Sequence, residues 1–344
     1  MNLKELSTLL GLSQTTVSRA LNGFPEVSEQ TRVRVAEAAQ RYSYRPNVRA
    51  RGLATGRAMA IAHVIPVGSR HEIVNPVFAD FIAGAGEAYQ AADYEMLLSV
   101  VNEADEAEAY RRMRIKGSAD GAIVHGPKLN DTRIPLLTEI GLPFVVHGRS
   151  SEATLPYAWL DVNNRRAFER ATEFLLDLGH RRIALINGLE GMDFAFRRRH
   201  GYVNALAARG IAPDPVIMTS TEMTETNGFR AAERILRQAN PPTAFLTSSM
   251  ILAIGVRRAL QDAGLRLGKD VSIITHDDEL SYLRNGDSEP IFTATRSSVR
   301  EAGRLAAQML LEMIADPPDV LPSRMLDCDL VVGQSTGPGP ARGV

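Results

Sequence analysis

Short apolar segments alternate with helical patterns from Met59 onward, and this alternation restricts the fold more than any other feature of the 344-residue sequence. The apolar segments have the length and composition of β-strands. In order they read AIAHVIP, EMLLSVV, GAIVHG, LPFVVHG, RIALING, PVIMTS, TAFLTSS and VSIITHD. The helical patterns between them lie near 77–92, 104–117, 131–140, 164–178, 197–209, 226–238 and 250–263. Strands separated by helices of this length predict two doubly wound parallel sheets, one in each of two lobes.

A ligand cleft between the lobes follows from this topology. Ligands of open parallel sheets bind beyond the carboxyl ends of the strands. When two such lobes face one another, these ends enclose a cleft, which we expect to hold a small molecule.

The first 44 residues carry three helical patterns of their own. Gly11 ends the first pattern, Ser13 is a plausible N-cap for the second, and Ser28 for the third, which runs to about Tyr42. We expect the apolar stripes of these helices to pack together through Leu3, Leu6, Leu9, Leu10, Val17, Ala20, Leu21, Val33, Ala36 and Ala39.

The second of these helices carries polar residues on its other face. A helix, a short Gly-containing turn and a helix with a hydrogen-bonding face are typical of a helix-turn-helix that reads DNA. Charge agrees with this interpretation, because residues 1–57 carry a net charge of +5 and the rest of the chain −6. On spacing alone, a small helical bundle with an ordinary polar face remains an alternative.

The residues themselves identify the head more closely. LSTLLGLSQTTVSRALNG, followed by VSEQTRVRVAEAAQRYSYRPN, resembles the DNA-binding head of the LacI/GalR family of bacterial repressors. The resemblance implies that Gln14, Thr15 and Arg19 read bases. It implies that the remaining polar residues of this helix brace phosphates or the helix itself, namely Ser13, Thr16, Ser18 and Asn22.

A basic segment, RPNVRARGLATGR at 45–57, links the head to the lobes. Its glycines and short length make it a poor helix when isolated. The matching segment of the family folds on DNA and lies in the minor groove, which implies DNA contacts for Asn47, Arg49 and Leu53, with Leu53 as the wedge that kinks the duplex. From the residues alone, Leu53 packs against a neighbouring lobe.

The remaining chain is similar to the sensor core of the same family, which is built like periplasmic sugar-binding proteins. DLGHRRIALING (177–188), RRRHGYVNALAARGI (197–211) and VSIITHDD (271–278) carry the similarity. It implies that Arg198 clamps the effector, that Asp277 accepts effector hydroxyls, and that Phe78 presents an aromatic face. Without the resemblance, Arg198 is a salt-bridged surface residue and Asp277 a helix N-cap. Polar residues that follow strand ends are further candidates: Asn75, His147, Arg149, Asp161, Ser249, His276 and Ser297.

An arginine fork opposite a carboxylate suits a polyhydroxylated ligand, so we expect a mono- or disaccharide. The chain departs from many sugar-sensing relatives, since it has Ser249–Met250 where they carry Asn-Asp and Gly148 where they carry Asp. The HDDELSYL stretch resembles regulators of α-glucoside use. Two alternatives stay open: control by a protein co-regulator, and a nucleobase or sugar-phosphate co-repressor.

Other classes of protein fit the sequence less well. The pair Gly84 and Gly86 has no third glycine and falls in a helical pattern, so it is no dinucleotide loop, and no catalytic constellation is in view. We therefore expect a regulator that is not an enzyme and needs no cofactor or metal. A sugar-binding protein for transport is disfavoured, because the N-terminus lacks the features of a secretory signal. No apolar run is long enough to span a membrane, and the expected location is the cytoplasm.

The expected organisation is a head at 1–44, a hinge at 45–57, a bilobed effector and dimerisation domain at 58–336 and a flexible tail at 337–344. The chain is expected to cross between lobes near 160, 293 and 321. A helix-turn-helix reads half of a near-palindromic operator, which predicts a homodimer. The tail lacks leucine heptads, so a dimer of dimers is not expected.

Overall fold

The computed structural model describes residues 1–21, 23–44, 56–66, 75–276 and 279–339. The chain divides into two compact units, Met1–Met59 and Ala60–Val344. Within the described ranges, no helix combines the length and apolarity needed to cross a membrane.

The first unit is a three-helix bundle with α1 (Leu3–Leu10), α2 (Gln14–Leu21) and α3 (Glu29–Arg41). A capping box starts α1, since Asn2 accepts from the Glu5 amide at 3.0 Å and the Glu5 carboxylate accepts from the Asn2 amide at 2.9 Å. Gly11 ends α1 in the left-handed conformation, with φ 65°.

The predicted core of this bundle needs correction at three positions. Leu9 and Val33 are exposed by 51% and 47%, and Ala36 is also exposed. Val35 is fully buried instead. With 3.6 residues per turn, Val35 and Ala39 share one face of α3, and this face rather than that of Val33 and Ala36 meets α1 and α2.

The second unit contains two six-stranded sheets. The strands are β1 (Ala60–Pro66), β2 (Glu95–Val101), β3 (Gly121–His125), β4 (Phe144–His147), β5 (Ala158–Val162), β6 (Ile183–Asn187), β7 (Met218–Ser220), β8 (Ala244–Thr247), β9 (Ser272–His276), β10 (Thr293–Arg296), β11 (Ser323–Leu326) and β12 (Asp329–Val331). The helices are α4 (Pro76–Ala91), α5 (Glu106–Lys116), α6 (Arg133–Glu139), α7 (Asn164–Asp177), α8 (Asp193–Ala208), α9 (Glu225–Leu236), α10 (Met250–Asp262) and α11 (Val299–Ala315).

Each sheet is the centre of one lobe. The first lobe has the strand order β11-β5-β4-β3-β1-β2, and all its pairs are parallel. The second lobe has the order β12-β10-β9-β8-β6-β7, in which only β12 runs antiparallel to its neighbour. In the first lobe, α4 and α11 cover one face of the sheet, and α5 and α6 cover the other.

The sequence patterns located eight strands and seven helices of these lobes but missed others. Of the PVIMTS segment, only Met218–Ser220 is a strand, because Pro215–Ile217 forms a 3₁₀ turn. Strands β5, β10, β11 and β12 are short and mix polar with apolar residues, so they carry little apolar signal. The missed helix α11 did have a signal: Ser298 caps it by accepting from the Glu301 amide at 3.3 Å, ahead of a long apolar periodicity.

The chain passes between the lobes three times: between β5 and α7, between β10 and α11, and between β11 and β12. These passages lie a few residues beyond the positions 160, 293 and 321 expected from the sequence. The C-terminal segment is held as far as Gly339, whose amide donates to the Leu178 carbonyl at 2.7 Å, while the Gly337 amide donates to Ser272 at 3.1 Å. Residues 337–339 of the expected tail are therefore hydrogen-bonded to the second lobe.

Candidate DNA interface and ligand cleft

The polar side of α2 is the candidate DNA interface in the head. Gln14, Thr15 and Arg19 are exposed there. Gln14 and Thr15 lie in the first turn of the helix, where unpaired backbone amides and the helix dipole favour phosphate. These three side chains are therefore available for contacts with DNA bases and phosphates.

Ser13 and Thr16 stabilise the helix itself. The Ser13 hydroxyl accepts from the Thr16 amide at 3.0 Å and pairs with the Thr16 hydroxyl at 2.8 Å. Ser18 is half-buried on the same helix. Four other predicted DNA contacts lie outside the described residues: Asn22, Asn47, Arg49 and Leu53.

The carboxyl ends of the two sheets face each other in the second unit. After β3, the Pro127 carbonyl accepts from the Asp193 amide at 3.0 Å, and the Leu129 amide donates to the Gly191 carbonyl at 3.4 Å. Pro127 and Leu129 belong to the first lobe, and Gly191 and Asp193 follow β6 in the second. The strand ends of the two lobes therefore adjoin here, and we call the surroundings of this junction, where the topology predicts a ligand, the candidate cleft.

Asp193 joins the lobes through its side chain as well. Its carboxylate accepts from the Ser151 amide at 2.7 Å and from the Ser151 hydroxyl, and Arg197 of the same helix pairs with its other oxygen. Arg197 also donates to the Ser151 hydroxyl at 2.9 Å. Asp193 is 1% exposed, so these bonds form away from bulk water.

Arg198 lies on the second-lobe side of the cleft and is only 5% exposed, so its alternative role as a surface residue is wrong. Its Nε donates to Asn164 Oδ1 at 2.7 Å and its Nη1 to the Ser248 carbonyl at 2.7 Å. The guanidinium lies over two aromatic rings, 4.7 Å from the centre of Phe194 and 5.3 Å from that of Phe168. Its orientation is therefore set before any ligand arrives.

Asp161 and Arg149 lie on the first-lobe side. Arg149 Nε donates to Asp161 Oδ2 at 2.8 Å, and its guanidinium lies 5.1 Å from the Trp159 ring centre. Asp161 Oδ1 accepts from Asn164 Nδ2 at 3.2 Å, which continues the hydrogen bonds to Arg198. Burial raises the pKa of the Asp161 carboxyl, because lost hydration outweighs the attraction of Arg149.

Aromatic and histidine rings form another part of the first-lobe wall. Phe78 is half-buried, with its ring centre 5.1 Å from that of His125 in an edge-to-face arrangement. His147 stacks on Phe81 at 4.2 Å and lies 6.2 Å from His125. His125 and His147 end the neighbouring strands β3 and β4 and are paired in register.

The remaining predicted cleft residues include two helix caps. Asn75 caps α4 by accepting from the Val77 amide at 3.0 Å, and Ser249 caps α10 by accepting from the Leu252 amide at 3.3 Å. His276 and Ser297 are buried at the ends of β9 and β10, where His276 Nδ1 shares a hydrogen bond with Thr295 Oγ1 at 2.7 Å. The predicted acidic partner, Asp277, lies outside the described residues.

Sequence reasoning missed three residues that the structure brings to this cleft. Asn164 links Asp161 to Arg198, Phe194 stacks on Arg198, and His125 lies between Phe78 and His147. Two signals were available: Phe194 precedes Arg198 by four residues on one helix, and His125 ends a strand as His147 does. No local pattern marks Asn164.

Comparisons with known proteins agree with both parts of the molecule. Residues 2–47 match the model described as bacterial regulatory proteins, lacI family, and residues 172–336 match a periplasmic binding protein-like domain. The HTH-type transcriptional regulator AglR of Rhizobium meliloti (strain 1021) is 43% identical over 342 residues, covering 99% of this chain and 96% of the relative. The regulator RafR of Escherichia coli is 34% identical over 319 residues, covering 91% and 92%.

Solved structures show the same architecture. The transcriptional regulator CelR–cellobiose complex matches with a TM-score of 0.72 and 26% identity, covering 97% of this chain and 99% of that one. The lac repressor dimer bound to operator and the anti-inducer ONPF matches the fold with a TM-score of 0.82 at 23% identity, covering 98% and 99%. With its helix-turn-helix head and two parallel-sheet lobes, the chain belongs to the LacI family and is a DNA-binding transcriptional regulator, not an enzyme.

Proposed function

We propose that this regulator is a repressor of genes for carbohydrate uptake or catabolism, and that a small sugar bound between the lobes switches its affinity for operator DNA. The observation that carries the proposal is Arg198, which is buried at the cleft, orientated by Asn164 and flanked by Phe194. A guanidinium held in place beside aromatic rings suits a sugar. Its N–H groups donate to sugar hydroxyls, and the aromatic rings pack against the C–H face of the sugar ring.

The relatives support a sugar as the effector class. CelR, at 26% identity, has been solved as a complex with cellobiose. The resemblance of HDDELSYL to regulators of α-glucoside use leads us to propose α-glucosides as the first compounds to test. Cleft arginines Arg149 and Arg197 already have carboxylate partners, which favours a neutral ligand over an acidic one.

The proposed mechanism couples the cleft to the DNA through the hinge. Two protomers read the two halves of a near-palindromic operator with Gln14, Thr15 and Arg19. Sugar binding draws the lobes together, shifts the first lobes of the dimer against each other and destabilises the hinge helices in the minor groove. A coupling free energy of about 1–3 kcal/mol is enough for such regulation.

A thermal-shift screen with matched arginine variants tests the effector class. Wild type, Arg198→Ala and Arg199→Ala are each heated with maltose, sucrose, trehalose, cellobiose, nucleobases and sugar phosphates. Arg199 is the control, because it is exposed and pairs with Glu190 at 3.4 Å outside the Arg198 network. We expect an α-glucoside to raise the melting temperature of wild type and Arg199→Ala but not of Arg198→Ala.

Other outcomes decide against the proposal in distinct ways. A shift with a nucleobase or sugar phosphate alone replaces the sugar with a co-repressor of that class. No shift with any compound favours control by a protein co-regulator. For the assembly, light scattering should give a dimer, and a stable tetramer contradicts this part of the proposal.

A further inference from the structure

A row of hydrogen bonds connects the core of the first lobe to the cleft. Tyr89 of α4 is 1% exposed, and its hydroxyl lies 2.9 Å from His63 Nε2. His63 of β1 is fully buried, and its Nδ1 lies 2.9 Å from His125 Nε2. The two imidazole planes are inclined by 26° and their ring centres lie 5.1 Å apart, an arrangement that allows an N–H···N bond. We call these three residues the histidine relay.

The phenol decides the direction of the hydrogen bonds in the relay. In the part of the chain that the structure describes, His63 Nε2 is the hydrogen-bond partner of the Tyr89 hydroxyl. A buried O–H without an acceptor is costly, so the phenol donates to His63 Nε2. A neutral imidazole carries one N–H and one acceptor nitrogen, so His63 carries its proton on Nδ1 and donates to His125 Nε2.

The same reasoning fixes the tautomer of His125. Its Nε2 accepts, so its proton lies on Nδ1. His125 is half-buried, and its Nδ1 has no hydrogen bond among the described residues, which leaves this N–H for a ligand. His125 ends β3 beside Phe78 and His147, at the carboxyl edge that lines the cleft.

Electrostatics keep the relay neutral over the physiological range. Burial lowers the pKa of His63 to about 3 and raises that of the Tyr89 phenol. Burial lowers the pKa of His125 well below its ordinary value, and the nearby His63, His147 and Arg133 lower it further. The pattern of donors and acceptors therefore does not change near pH 7.

We propose that Tyr89 and His63 are positioning residues that hold His125 as a fixed hydrogen-bond donor to the effector. The effector must then place an acceptor, such as a hydroxyl or ring oxygen, against His125 Nδ1. An ammonium group at this position is rejected, because it offers only donors. The identity of the acceptor as a sugar oxygen rests on the proposed function, whereas the direction of the relay does not.

Histidine-selective ¹⁵N NMR on the full-length protein without ligand tests the relay directly. Coupling of each ring nitrogen to the carbon-bound ring protons distinguishes Nδ1–H from Nε2–H, and a His125→Asn sample identifies the signals of His125. We expect His63 and His125 both to carry the proton on Nδ1 from pH 6 to pH 8. A proton on Nε2 of His125, or titration of His125 in this range, overturns the proposal.

Two tyrosine variants separate positioning from packing. Tyr89→Phe removes the phenol that sets the direction, so His63 and His125 should become mixtures of tautomers or reverse. Tyr110→Phe is the matched control, because Tyr110 is fully buried in the same lobe and its hydroxyl has no partner among the described residues. Tautomers unchanged in Tyr89→Phe, or equally changed in Tyr110→Phe, contradict the relay.

Sugar binding gives a second readout. With maltose and cellobiose as probes, Tyr89→Phe should bind about 2-fold more weakly if the tautomers equalise and about 10-fold if they reverse. Tyr110→Phe should bind as wild type does, and equal affinities of Tyr89→Phe and wild type count against the proposal. If none of the four sugars of the screen binds wild type, the proposed sugar class fails, while the NMR result still decides the relay.

Discussion

Three consecutive arginines at 197–199 have three different environments. Arg197 pairs with Asp193 between the lobes, Arg198 is buried against Asn164 and Phe194, and Arg199 is exposed beside Glu190. On a helix, successive residues point about 100° apart, so neighbours in sequence meet different surroundings. Residue type thus says little about the role of an arginine until its burial and partners are known.

The buried His63 should make stability depend on pH. Its pKa is about 3 in the folded chain, below its ordinary value, so unfolding lets it bind a proton as the pH falls below about 6.5. The stability from neutral His63 is present above pH 6.5 and is lost progressively toward pH 3. Between pH 6 and pH 4, the free energy of unfolding of His63→Gln should fall by about 1.4 kcal/mol less per pH unit than that of wild type. Urea unfolding at a fixed protein concentration measures both slopes.

The control for this pH dependence is His200→Gln, which replaces an exposed histidine of the second lobe. If His200→Gln changes the slope of unfolding free energy against pH as much as His63→Gln does, burial of His63 is not the cause of the change. A His63→Gln slope equal to the wild-type slope means that His63 is not neutral and buried in the folded chain.

In both lobes, glycines allow the backbones of two neighbouring helices to approach closely. A Cβ on Gly84 of α4 would lie 1.8 Å from the Arg300 carbonyl oxygen of α11, and one on Gly303 would lie 2.1 Å from the Phe81 carbonyl. In the second lobe, a Cβ on Gly201 would lie 2.1 Å from the Arg165 carbonyl of α7. Gly201, part of the motif around Arg198, therefore lets α8 pack closely on α7.

Gly84 and Gly86 provide a test at the scale of the helix pair. Gly84→Ala forces α4 and α11 apart and should reduce the free energy of unfolding by about 1–3 kcal/mol or more. A Cβ on Gly86 meets only the Met96 methyl at 3.9 Å, so Gly86→Ala should stabilise the helix by about 0.5–1 kcal/mol. Urea unfolding measures both, and similar effects of the two substitutions contradict the close packing.

At the scale of the whole second unit, hydrogen bonds from separate loops close the cleft on one side. The Asp193 carboxylate accepts hydrogen bonds from Ser151 of the first lobe and from Arg197 of its own helix. Ser150, next to Ser151, is itself held, because its hydroxyl donates to the Leu129 carbonyl at 2.7 Å. The first lobe thus presents a rigid donor to a buried carboxylate of the second.

Asp193→Asn should weaken this closure. An amide has one acceptor oxygen and cannot accept from both Ser151 and Arg197, so the closed form becomes less populated. Isothermal titration calorimetry with the sugar that the screen identifies should show about 3- to 10-fold weaker binding. Asp177→Asn is the control, since Asp177 pairs with Arg209 at 2.5 Å within one lobe. Equal affinities of both variants rule out a role for Asp193 in closure.

Local patterns along the chain predicted most of the helices and strands and their order. Periodicity, caps and apolar runs are local properties, so they located α1 to α10 and the eight apolar strands. They were insufficient for short strands such as β10 and β11, whose stability depends on neighbouring strands rather than on their own residues. The predicted buried face of α3 was wrong for a similar reason, because the elements that pack against a helix decide which of its faces is buried.

Which side chains meet at the cleft depends on how the elements pack in three dimensions. Arg198 is 34 residues from Asn164 and 50 residues from the Ser248 carbonyl along the chain, and packing of α7, α8 and β8 within the second lobe brings the three together. The histidine relay likewise needs β1, β3 and α4 side by side. A hydrogen bond depends on a distance of about 3 Å and on direction, and no spacing along a sequence specifies either.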